Sequence, residues 1–234
     1  MMDRRSFLLA TSATAVAGCV SVGGAPGAPA PAPEYRIGDH WVYAGRDGYR
    51  LPVVWDETHE VVSVGADGIA LRVTQRGPQV DSVRTERLTA PGVVAVGAVY
   101  DNETRVFDPP LGRYRFPLTP GATWRQTAAN FNESLGKDDP LLYYATVGGW
   151  ENVTTPAGSF DAIRLRVFMQ LNLDDPFRWP TQCNYLLWWA PAVDATVRET
   201  RYATYREKGD GRTAAEFRSQ NTVLELVSYR RGAG

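Results

Sequence analysis

The sequence predicts an all-β, antiparallel domain: a curved sheet, a half-barrel or a sandwich, built as two similar meanders. Three observations carry this. Apolar residues recur at every second position in several runs. Clusters of Gly, Pro, Asp and Ser separate those runs. No stretch keeps a helical i, i+3, i+4, i+7 stripe for three turns, and 16 Pro with 22 Gly would interrupt one. The 234 residues carry 44% hydrophobic and 11% aromatic side chains, enough for a packed core rather than a disordered or collagenous chain. A net charge of −1 gives no basic field, so no nucleic-acid partner is expected.

The chain begins with Arg4 and Arg5 ahead of a small and apolar run, Phe7 to Gly18. Twelve helical residues reach only about 18 Å, short of a bilayer core of about 30 Å. Residues 1–18 therefore read as an export signal, with Arg4-Arg5 matching part of the twin-arginine motif and equally at home in an ordinary secretory signal. The run ends Val16-Ala17-Gly18-Cys19, the form of a lipobox, which makes Cys19 the expected lipidation site and the membrane a partner through that lipid. Val20 stands where an inner-membrane retention signal has Asp, so the periplasmic face of the outer membrane is the expected location. Residues 19–34, rich in Pro, Ala and Gly, read as a semi-extended tether, and 35–234 as one folded domain.

Within that domain the clearest strand is Ile163, Leu165, Val167, Met169, Leu171, Leu173, interleaved with Arg164, Arg166, Phe168, Gln170 and Asn172. A period of two sends the first set to a core and the second to the other face. Ile69, Leu71, Val73 and Val193, Ala195, Val197 repeat the pattern. Gly65-Ala66-Asp67-Gly68 predicts a hairpin, as does Pro156-Ala157-Gly158-Ser159, and Lys208–Gly211 separates a strand ending near Arg206 from one starting near Thr213. Three pairs of phrases recur in order: Gly38–Trp41 with Gly121–Trp124, Ala70–Val73 with Arg164–Val167, and Pro91–Ala95 with Pro191–Ala195. Their offset grows from 83 to 100 residues, as loop insertions in a second copy would produce. The expected repeats are about 36–107 and 118–206.

Phe116-Pro117-Leu118 with Gly121 and Trp124, then Val153 with Pro156-Ala157-Gly158 and Phe160-Asp161-Ala162, then Trp188-Trp189-Ala190-Pro191 form a series. It resembles a pattern shared by a broad set of bacterial envelope lipoproteins, over about half of the chain. The resemblance implies a curved antiparallel architecture in the periplasm or on the outer membrane, and no catalytic residues. That pattern has Gly where this chain has Asp194.

Catalytic motifs are sparse. No Gly-x-Ser-x-Gly elbow is present, and Ser134-Leu135-Gly136-Lys137 lies in a polar loop. His40 and His59 stand beside carboxylates, where hydrogen-bonded surface side chains are the expectation. With two Cys and two His there is no ligand spacing for a metal, and no cofactor is expected. Cys183 reads as a buried core thiol. The surplus is aromatic. Trp188 and Trp189 are adjacent on a strand and must face opposite sides, and Phe168 interrupts a polar face. Together with Trp179 they are the candidate ligand-binding residues. The expectation is a non-enzymatic, lipid-anchored envelope protein that binds an apolar or amphiphilic small molecule or scaffolds an envelope protein. The alternative is a secreted hydrolase whose site assembles from distant loops.

Overall fold

The computed structural model describes residues 27–48, 51–132, 136–209 and 215–233. Twelve strands follow one another around a closed barrel: β1 (His40–Asp47), β2 (Val53–Gly65), β3 (Gly68–Gly77), β4 (Val80–Ala90), β5 (Val93–Gly97), β6 (Arg105–Gly112), β7 (Thr123–Asn132), β8 (Lys137–Thr155), β9 (Gly158–Leu171), β10 (Thr181–Ala190), β11 (Ala195–Arg206) and β12 (Glu216–Arg230). Every pairing is antiparallel and joins strands consecutive in sequence, except the last. There β12 returns to β1, with Trp41 opposite Tyr229 and Arg46 opposite Val223. The all-β antiparallel class is the one the sequence predicts. The open forms are not what forms. A twisted meander with short hairpins leaves two edges, β1 and β12, and their pairing satisfies the backbone groups of both.

Local chemistry explains the elements. On β9, Ile163, Leu165, Val167, Met169 and Leu171 are all buried and the residues between them alternate outward. The hairpins at Gly65–Gly68 and at Pro156-Ala157 form between β2 and β3 and between β8 and β9. A strand ends at Arg206 as expected, and β12 begins at Glu216. The entries to β1 and β7 are alike. Gly38 and Gly121 have φ of 86° and 85°, a left-handed conformation that glycine adopts without cost to a Cβ. Their N–H groups donate to the carbonyls of Val61 (2.8 Å) and Val147 (2.9 Å), whose own N–H groups donate back to Asp39 and Ala122. The buried Trp41 and Trp124 follow, donating to the carbonyls of Val193 (2.8 Å) and Gly112 (2.9 Å). Asp194, where the lipoprotein pattern has Gly, has φ of 50°. Aspartate tolerates that region better than most residues, and its carboxylate also holds Arg231 at 2.7 Å.

Residues 1–18, Arg4, Arg5 and Cys19 lie outside the described residues. The predicted tether does not run to 34. From Ala28 the chain is already folded against the barrel end: Trp150 Nε1 donates to the Ala28 carbonyl at 2.8 Å, and Ala30 bridges Leu118 through two backbone bonds, both residues fully buried. Buried Asp39 joins the two ends of the folded chain. It accepts from Arg36 N–H (2.7 Å) and Gly232 N–H (2.8 Å).

Candidate functional site

Eight strands close around an interior that side chains just fill, so twelve enclose more space than ordinary aliphatic residues occupy. β8–β10 fill their side with aliphatic residues such as Ile163, Leu165 and Met169. The facing strands β2 and β4, and β11 beside β10, instead turn charged residues inward: Glu57, His59, Arg84, Glu86, Glu199 and Arg201. Arg113, just past β6, joins them. Between these walls lies a cavity of about 120 Å³. Tyr35, Tyr43, Tyr114, Tyr143, Tyr185 and Trp189 complete its lining.

The charges are ordered by hydrogen bonds. Glu57 is fully buried; its Oε1 lies 2.7 Å from His59 Nε2, while Oε2 accepts from Gln75 Nε2 (2.6 Å) and Trp55 Nε1 (3.2 Å). Glu86 receives two guanidinium groups, Arg84 through Nε (3.2 Å) and Arg113 through Nη1 (3.3 Å). Arg113 Nη2 also donates to the Ala98 carbonyl at 2.7 Å. Arg201 grips Glu199 with two parallel bonds of 2.8 and 3.0 Å. Tyr143 donates to the Arg113 carbonyl, and the Tyr114 hydroxyl pairs with Thr196 Oγ1 at 2.7 Å. Among the described residues three buried donors have no hydrogen-bond partner, Arg84 Nη1 and Trp189 Nε1 of the lining residues and Arg105 Nε outside the lining.

Burial by itself raises the Glu57 pKa, but the hydrogen bond and charge of His59, with Arg84 and Arg201, outweigh it and hold the carboxyl well below its ordinary range. Glu86 is likewise lowered, because Arg113 and Arg84 overcome its desolvation. Desolvation works against the charge of Arg201, yet Glu199 reverses the effect and the guanidinium stays protonated more firmly than in water. Burial pushes the Tyr35, Tyr43, Tyr114, Tyr143 and Tyr185 hydroxyls upward, so all five act as neutral polar groups. The Cys183 thiol is pushed up to about 12 by desolvation. Among the described residues no group of three or more His, Cys, Asp or Glu side chains could hold a metal ion.

The predicted ligand-binding residues are not brought together. Trp189 faces the cavity and packs against Tyr114 and Phe116, with ring centroids 5.3 and 5.0 Å away. Trp188 faces the other way, donating from Nε1 to Glu151 at 2.7 Å. Phe168 alternates with the buried Val167 and Met169 and meets Tyr144 at 6.1 Å, outside the cavity lining. Trp179 is 56% exposed in the segment between β9 and β10, beneath the Lys208 ammonium. The one-face requirement that separates Trp188 from Trp189 applies equally to Phe168, which shares its strand with inward Val167.

The inward charges escape a reading that assigns charge to solvent, His59 among them. Their signal is register. Two and four residues beyond Val197 lie Glu199 and Arg201, and two and four residues before Val61 lie His59 and Glu57, all on the inner face.

No protein-family profile and no curated sequence matches the chain. Two solved structures resemble it. A protein of Parabacteroides distasonis described as a "putative lipoprotein" superposes with a TM-score of 0.53 at 12% identity, over 86% of this chain and 99% of its own. A "putative exported protein with YmcC-like fold" from Bacteroides fragilis covers 86% of this chain and all of its own, at 10% identity and a TM-score of 0.43. The first likeness shows a shared fold.

Proposed function

We propose that this is a lipid-anchored envelope protein whose barrel binds a small amphiphilic molecule in its interior, without catalysing its conversion. The observation that carries the reading is the cavity of about 120 Å³, whose aromatic rings offer apolar contact and whose ion-paired belt offers fixed polar contacts. A sequence that needed only stability would fill such a space with aliphatic residues, since a buried ion pair is often no more stable than a well-packed apolar replacement. The anchor rests on Val16-Ala17-Gly18-Cys19 and the resemblance to envelope lipoproteins, with Arg4-Arg5 in the export signal and the periplasmic face of the outer membrane as destination. If Cys19→Ala leaves the protein in the membrane fraction, the anchor is wrong. Native mass spectrometry of protein purified from the envelope tests the binder. A reproducible extra mass, extractable into organic solvent, is expected; a bare mass under gentle desolvation goes against it.

One observation favours hydrolysis instead. His59 and Glu57 lie 2.7 Å apart in the cavity, the arrangement by which a carboxylate orients a general base. The hydrogen-bonded hydroxyls of Tyr114 and Thr196 pair with each other rather than with His59. Turnover of an ester substrate that His59→Ala abolishes would establish hydrolysis and remove the binder reading.

A further inference from the structure

Residues 28–35 cross one end of the barrel. On one side Trp150 of β8 donates from Nε1 to the Ala28 carbonyl (2.8 Å), and Ala30 and Leu118 exchange two backbone bonds of 2.9 and 2.8 Å. On the other side Arg231, just past β12, donates to the Glu34 carbonyl (2.7 Å), and the Tyr35 ring meets Trp41 of β1 edge-on, with centroids 6.1 Å apart. β8 and β1 stand five strands apart in the ring of twelve, so the segment joins nearly opposite parts of the rim. Its inner side belongs to the cavity. Tyr35 and Trp41 both line that space, and Leu118 follows Phe116, whose ring packs on the lining residue Trp189 at 5.0 Å.

The segment is held without being woven in. Pro29, Pro31 and Pro33 have no N–H to donate, so it cannot extend a strand ladder, and it pairs with the barrel through the isolated bridge at Ala30. Alternate prolines also keep it extended and stiff. From Ala28 to Glu34 it buries only two small side chains, Ala30 and Pro33. A segment with so few buried apolar contacts opens at lower cost than the strands beneath it. Its fixed end is the buried Asp39, whose carboxylate accepts from the Arg36 and Gly232 N–H groups at 2.7 and 2.8 Å. Its other end leads to the expected lipid. Nine residue steps separate Ala28 from Cys19, a reach of at most about 32 Å.

Resting on the reading of the barrel as a lipid-anchored binder, we infer that residues 28–35 are a strap that gates the cavity at its anchored end. The strap lifts about Asp39 and takes Tyr35 out of the cavity wall, and the ligand enters and leaves through the gap. The path thus opens at the end of the barrel held nearest the lipid.

The experiment locks the strap. Ala30 and Leu118 form a hydrogen-bonded antiparallel pair, whose Cα separation of about 5.5 Å suits a disulfide. The full chain carrying Cys19→Ala, Ala30→Cys and Leu118→Cys is compared oxidised and reduced, with Cys183 buried away from the new pair. The readout is deuterium exchange of the Trp189 indole N–H, which has no hydrogen-bond partner and exchanges when water enters the cavity; Trp189→Phe assigns its resonance. In the reduced form it exchanges faster than the β9 amides, and oxidation slows it by about tenfold or more. Trp150→Phe without the lock removes the bond to Ala28 and speeds it by about threefold. Equal rates in the oxidised and reduced forms, both faster than the β9 amides, overturn the strap and leave the binder standing. Exchange no faster than the β9 amides in the reduced form means that the interior opens only on global unfolding, and strap and binder fall together. If the cysteine pair does not fold or does not close, Trp150→Phe decides: an unchanged Trp189 rate overturns the strap.

Discussion

Strands β9 and β2 obey the same rule and reach opposite results. Both alternate inward and outward side chains, and β9 sends in Ile163, Leu165, Val167, Met169 and Leu171. On β2 the inward set is Trp55, Glu57, His59 and Val61. Alternation decides which residues point inward; it does not decide that they are apolar. In a barrel of twelve strands the inward face on one side is a core and on the other a lining.

The two walls should respond differently to damage. The largest effect is expected at Glu86. Glu86→Ala removes the partner of the buried Arg84 guanidinium and of the half-buried Arg113 and should cost about 4 kcal/mol in urea unfolding, as breaking a buried ion pair does. A loss below about 1 kcal/mol would mean that water reaches both arginines and the wall is solvated. On the apolar wall, Leu165→Ala should cost about 3 kcal/mol, the transfer loss plus a cavity. It should leave the pH dependence of stability unchanged.

That pH dependence separates the walls more finely. Glu57 and Glu86 have folded-state pKa values below the ordinary 4.5. A carboxylate lowered in the folded state contributes stability that is fully present above its unfolded value and is lost as pH falls through the folded value. Stability should therefore hold above about pH 5 and drop by roughly 1 kcal/mol or more between pH 5 and pH 3. Glu57→Gln with Glu86→Gln should flatten that limb, measured by thermal unfolding across pH. An unchanged limb would assign the acid sensitivity to other carboxylates. The smallest effect belongs to the outer face, where Arg164 meets Glu151 at 2.8 Å with both side chains about two-fifths exposed. Arg164→Ala should change stability by less than about 1 kcal/mol.

The wall that is legible in the sequence is the apolar one. β9 announces itself because Ile163 to Leu171 alternate with polar residues, and the β2–β3 and β8–β9 turns carry Gly, Asp and Pro. Closure is not legible. Trp41 meets Tyr229 across nearly the whole chain, and no local pattern marks that pairing. The site is half legible. Adjacent Trp188 and Trp189 must part, and one of them does reach the cavity. Glu57, His59, Arg84, Glu86, Glu199 and Arg201 look like a solvated face, because charge on a strand is ordinarily turned to water, although each finds a partner two residues along its own strand. Likewise the Pro- and Ala-rich stretch before Tyr35 looks like a free tether. Only the folded partners Leu118 and Trp150 show that it packs from Ala28 onward.

The central claim is that the space between the two walls is a binding cavity rather than a filled core. The most direct measurement is the structure of the protein in crystals pressurised with xenon, which enters apolar cavities left by the packing. Electron density for xenon among Tyr114, Tyr143 and Trp189 is the predicted result. Closed packing of those rings with no xenon density between β3 and β9 would contradict the account.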